Sequence, residues 1–200
     1  DGRGLCVLVK GQRVWVPLEG GLPRRLTPDG GPARTDVQLS PGGRWLSYAA
    51  GDDLWLVPTD GTEAVRIAGG SPDVLHARLD WVYPEELDLE HAAWWSPDEQ
   101  RLAFLRLDES GVPTYDVPNT LDPRAMPRRI RYPRAGEANP RASVWVTGAK
   151  GAAEGAPVRL DLGPAAEAEY VVRVAWTPDA RSVLVVTLDP WRDTPARLRE

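Results

Sequence analysis

The chain has 200 residues, 42% of them hydrophobic and 26% charged, which is the balance of a folded chain with one sizeable core or a few repeated units. Its net charge of −5 and scattered arginines give no basic stripe for nucleic acid, and no apolar run approaches the roughly 18 residues of a membrane-crossing helix. A lone Cys6 excludes an internal disulfide and a cysteine metal site. His76 and His91, the only histidines, lack the spacing of a zinc pair, so neither metal nor cofactor is expected.

Twenty prolines, 19 glycines and nine tryptophans punctuate the chain into short elements and supply large flat side chains between sheet layers. The segment 13–27, "RVWVPLEGGLPRRLT", predicts a strand, a turn at Glu19-Gly20-Gly21 and a returning strand. "LSPGGRWLSY" (39–48) follows, with Ser-Pro opening a tight turn into an apolar strand. "DLWLVPTDGTEAVRIA" (53–68) then repeats the first hairpin, and Trp55 stands 40 residues after Trp15. "WSPDEQRLAF" (95–104) and "WTPDARSVLV" (176–185) repeat the Ser/Thr-Pro pattern, while 141–163 is a longer hairpin with a small-residue loop.

Together these elements predict an all-β chain: a partial β-propeller of three to four blades, each a four-stranded antiparallel sheet of about 40 residues. Runs such as "CVLV" and "SVLVV" fit strands buried on both faces. Repeated hairpins also occur in β-sandwiches. The Ser/Thr-Pro copies are 56 and 81 residues apart, so insertions are expected at 71–94 and 106–140. Three to four blades do not close a ring, so residues 1–200 are expected to be part of one propeller domain in a larger protein.

The segment "PEELDLEHAAWW" predicts a short helix of about two turns within an insertion at 80–95. Pro84 suits a first helical turn, and Glu85 and Glu86 beside it suit the positive end of the helix dipole. Acidic residues at a helix start also serve simply to solvate it. Here Trp81, Tyr83, Trp94 and Trp95 crowd the pair, so partial desolvation and mutual repulsion are expected, and a cation between the two would relieve both. The α-ammonium of a peptide fits, with three donors and a pKa of about 8.

"DWVYPEEL" (80–87), "WWSPDEQRLAFLRLDESGVP" (94–113) and "YPRAGEANP" (132–140), in this order, resemble the N-terminal propeller domain of the dipeptidyl peptidase IV family. These are serine peptidases of the prolyl oligopeptidase clan. The resemblance implies an eight-bladed propeller capping a C-terminal α/β-hydrolase domain that releases N-terminal Xaa-Pro or Xaa-Ala dipeptides. It implies that Glu85 and Glu86 grip the free N-terminus of the peptide substrate. It also implies a possible homodimer formed partly through a propeller arm. The chain departs from some members at Pro84, where a third glutamate can precede the pair. A family arginine that holds the substrate carbonyl has no aligned counterpart. Asp108, Glu109 and Arg134 fall beside the site but read first as structural.

No G-x-S-x-G nucleophile elbow occurs, so no catalytic residue is assigned, His76 and His91 are not triad bases, and the chain alone is expected to be inactive. Arginine-, proline- and alanine-rich usage points to a bacterial source. Two other readings stand beside the peptidase. One is a non-enzymatic propeller that docks proteins. The other is an oligopeptidase or acylaminoacyl peptidase propeller, which lacks the Glu-Glu helix.

Overall fold

The computed structural model describes residues 2, 4–10, 12–122, 124–163 and 170–189 and the backbone of 197–199, without the side chains of 152 and 153. Four successive antiparallel sheets account for most of the chain. The first holds β1 (Gly4–Val9), β2 (Gln12–Pro17) and β3 (Arg24–Arg25). A complete four-stranded blade follows: β4 (Arg34–Leu39), β5 (Trp45–Ala50), β6 (Asp53–Pro58) and β7 (Val65–Ala68), in that order across the sheet.

The third sheet is built on β10 (Arg101–Asp108), which pairs on one side with β13 (Arg141–Gly148) and through it with β14 (Val158–Arg159). The other side of β10 pairs with two short collinear pieces, β8 (Val74–His76) and β9 (Ala93–Trp95). These are one edge strand, interrupted by residues 77–92. Leu105 holds both feet of the excursion: its carbonyl accepts the Ala77 N–H (2.9 Å) and its N–H donates to the Ala92 carbonyl (2.8 Å). A second excursion between β10 and β13 is the hairpin of β11 (Thr114–Val117) and β12 (Arg128–Arg131). The fourth sheet contains β15 (Tyr170–Trp176), β16 (Val183–Leu188) and β17 (Arg197–Arg199).

Three apolar layers lie between the successive sheets. Trp15 and Leu26 meet Leu46, Tyr48 and Val57 between the first and second. Leu54 and Leu56 meet Trp95, Leu102 and Phe104 between the second and third. Leu105, Leu107 and Val144 meet Val171, Val174 and Val185 between the third and fourth. Because alternate side chains of a strand point to opposite faces, β10 feeds Leu102 and Phe104 to one layer and Leu105 and Leu107 to the other. Its nearly continuous apolar run follows from burial on both faces. This is propeller packing, and it carries the expected all-β, partial-propeller architecture.

The Ser/Thr-Pro repeats form equivalent turns, β4 to β5, β9 to β10 and β15 to β16. In each, the N–H of Ser40, Ser96 or Thr177 donates to the carbonyl five residues on (2.9 Å each), and the fourth turn residue donates back (2.9 Å each). That fourth residue is left-handed in every copy: Gly43 at φ 75°, Glu99 and Ala180 at φ 59°.

Candidate functional site

The excursion at 77–92 carries the one α-helix among the described residues, α1 (Val82–Glu86). Asp80 starts it: one carboxylate oxygen accepts the N–H groups of Val82 (2.9 Å) and Tyr83 (3.2 Å), two of the donors that a helix start leaves unpaired. Pro84 is its third residue, still in the turn where a missing N–H costs nothing. Asp88 takes a left-handed backbone (φ 51°) and the Leu89 N–H returns to the Tyr83 carbonyl (3.1 Å), which closes the helix.

The helix is therefore shorter than the two turns expected over 84–95. Leu89 and Ala92 are drawn into the layer between the third and fourth sheets, and Ala93–Trp95 join β10 as strand. Tertiary pairing outweighs the weak propensity of so short a helix. Tyr83 anchors α1 in the same layer, 1% exposed, with its ring edge-on to Tyr170 at 6.1 Å. Burial pushes its phenol pKa well up, and a backbone hydrogen bond with Val171 acts the other way.

Glu85 and Glu86 lie at the end of α1, both exposed and neither in an ion pair among the described residues. The aromatic crowding expected around them goes elsewhere. Trp81 stacks on Tyr132 at 4.5 Å and 10°, Tyr83 points inward, and the Trp95 Nε1–H donates to Ser47 Oγ (3.1 Å).

Two desolvated carboxyls, Asp80 and Glu109, lie beside the start of the helix. A groove of about 460 Å³ runs between the approach to α1 and β12, lined by Asp52, Arg78, Asp80, Trp81, Glu109 and Arg131 among others. Burial pushes the Glu109 carboxyl up to about 7, with the nearby Asp80 charge adding to the shift and Arg131 and Arg78 opposing it. Burial also raises Asp80, against the two N–H groups that it accepts. Arg78 pairs with Asp52 (2.6 Å), and Arg131 pairs with Asp73.

The other residues singled out in the sequence are spread apart. Asp108 accepts the N–H (3.0 Å) and hydroxyl (2.6 Å) of Ser110 and pairs with Arg141 (3.0 Å), a turn-fixing role. Arg134 lies over the Tyr115 ring at 3.8 Å, on the β11–β12 excursion. His76 is buried, with Nδ1 3.0 Å from the Asp52 carbonyl, and burial lowers its pKa. His91 meets Asp36 (2.8 Å), whose carboxylate also accepts the Ala92 (2.7 Å) and Ala93 (3.0 Å) N–H groups. Asp80, Arg78 and Asp52 were not singled out in the sequence. An aspartate ahead of a proline-started helix is a capping signal, but nothing local brings Asp52 or Glu109 to it.

A partial β-propeller whose third blade extrudes a glutamate-bearing helix defines the class. The profile of the "Dipeptidyl peptidase IV (DPP IV) N-terminal region" matches residues 9–193, and the chain belongs to that family. It is 33% identical over 170 residues to a Neosartorya fischeri protein named "Probable dipeptidyl peptidase 4", covering 82% of this chain and 22% of that protein. It is 39% identical over 111 residues to the dipeptidyl peptidase 4 of Trichophyton equinum, covering 52% of this chain and 14% of that protein. The crystal structure of Porphyromonas gingivalis dipeptidyl peptidase 4 superposes with a TM-score of 0.75 at 26% identity, over 94% of this chain and 27% of that one. The chain thus spans about a quarter or less of the length of these relatives, two of them fungal and one bacterial.

Proposed function

We infer that the chain is the substrate-gating portion of a serine dipeptidyl aminopeptidase that releases N-terminal Xaa-Pro or Xaa-Ala dipeptides. Residues 1–200 are part of one propeller domain, and Glu85 and Glu86 bind the α-ammonium of the peptide. Nucleophile, base and oxyanion hole belong to a C-terminal α/β-hydrolase domain of the parent protein, so this chain alone does not hydrolyse peptides.

The observation that carries this reading is the state of the pair. Two adjacent carboxylates are exposed and unpaired among the described residues, on a helix whose base is anchored in an interblade layer by Tyr83. Carboxylates held without a cation of their own can each accept a charge-assisted hydrogen bond from a ligand ammonium. An acetylated or internal peptide offers no such charge, so the site counts from the free N-terminus. The β11–β12 excursion exposes Leu121 (96%) and Met126 (88%), which suits a protein contact such as a homodimer interface.

The test uses the full-length protein and a chromogenic Xaa-Pro substrate. Glu85→Gln and Glu86→Gln are each expected to raise KM about 10- to 100-fold, the loss of a hydrogen bond to a charged group. Unchanged KM in both variants, with folding intact, overturns the assignment of the pair, whereas no hydrolysis by the full-length protein favours the protein-docking reading.

A further inference from the structure

The cap of α1 sits in the same groove as a second carboxyl that the amine-binding reading does not use. Asp80 receives the first two N–H groups of the helix. Glu109 enters the groove from the root of the β11–β12 excursion, where its N–H donates to the Asp73 carbonyl (2.8 Å). We propose that Asp80 and Glu109 form a proton-responsive mount for α1, in which Glu109, once ionised, weakens the Asp80 cap and with it the placing of Glu85 and Glu86. This rests on the amine-binding reading and adds a regulation to it.

The surrounding cations compensate the pair only in part, because the nearest two are shared with other carboxylates. Arg78, from the approach to α1, is committed to Asp52 of the β5–β6 turn, and Arg131 of β12 is committed to Asp73. Arg129 of β12 points to Asp116 (2.8 Å). Arg128, the remaining cation lining the groove, is exposed. The Glu109 carboxyl is pushed to about 7 by burial first and Asp80 second, so its charge changes near neutral pH. Below that pH a neutral Glu109 leaves the Asp80 anion to the helix N–H groups. Above it two anions share a poorly hydrated space, and the cheapest relief is to move Asp80 off its donors. Asp80 and Glu109 are positioning residues, since neither is placed against substrate.

Steady-state kinetics of the full-length protein from pH 6 to 8, with a dipeptide substrate whose amine ionisation is titrated separately, test this. Wild-type KM is expected to rise about fivefold beyond the amine term, the size of a lost helix cap, with kcat unaffected by the step. The isosteric Glu109→Gln removes the step and keeps KM at its low-pH value. Asp80→Ala raises KM about fivefold at every pH, and Asp80→Asn, which keeps the acceptor oxygen, restores the low-pH value. A step that persists in Glu109→Gln, or is absent from wild type, overturns the proposal even if Asp80→Ala fails to fold. The two readings fail separately. An unchanged KM in Glu85→Gln and Glu86→Gln removes the amine clamp. A raised KM there, with the step intact in Glu109→Gln, removes only the mount.

Discussion

Glu99 occupies the left-handed fourth position of the β9–β10 turn, where glycine would be the easier choice, and its side chain explains why it is there. It reaches the equivalent turn of the preceding blade, where it accepts from Ser40 Oγ, the N–H of Gly42 and the Arg44 guanidinium (2.6 Å). Burial opposes its charge, yet these donors hold its carboxyl below the usual glutamate range. Glu99→Ala would strand the donors and is expected to cost about 2–4 kcal/mol, read as a lower urea midpoint. Gly42→Ala should act on the same latch, because a Cβ there would stand 2.5 Å from a Glu99 carboxylate oxygen that its donors hold in place. The turn itself was legible as Ser-Pro-Asp, whereas the latch was not, since its partners are more than 50 residues away.

At the scale of elements, α1 owes its place to packing more than to its own five residues. Tyr83 holds it in the interblade layer, so Tyr83→Ala should cost about 3–5 kcal/mol in the unfolding free energy, and Tyr83→Phe much less. Strand-turn-strand signals were readable because proline, glycine and alternating apolar residues act locally. The extent of the helix was not. "LDLEHAAWW" has acceptable helix formers, but β10 claims its last three residues, and that competition appears only once the sheet is assembled. Glu85 and Glu86 were legible as a motif. The groove beside their helix was not, because Asp52, Asp80 and Glu109 come from three separate loops.

For the whole molecule, two sets of carboxyls pull the pH dependence of stability in opposite directions. Glu99 and Asp108 are lowered, so their stabilisation is present above the ordinary carboxylate range and is lost as pH falls through their folded values. Glu109 is raised from 4.5 to about 7, so its contribution is full below 4.5 and lost as pH rises through 7. Thermal unfolding should therefore peak on the acid side of neutrality. Glu109→Gln should flatten the fall in stability between pH 4.5 and about 7 by about 1–2 kcal/mol after solvent screening, as a Tm-against-pH series would show. The hydrogen bonds at Leu105 have a consequence for how such a molecule can change. Since departure and return fall on one rung, whatever hangs between them can be lengthened, trimmed or exchanged while the ladder keeps its register. The blade is a socket, and new recognition spurs can be fitted to it without rebuilding the scaffold.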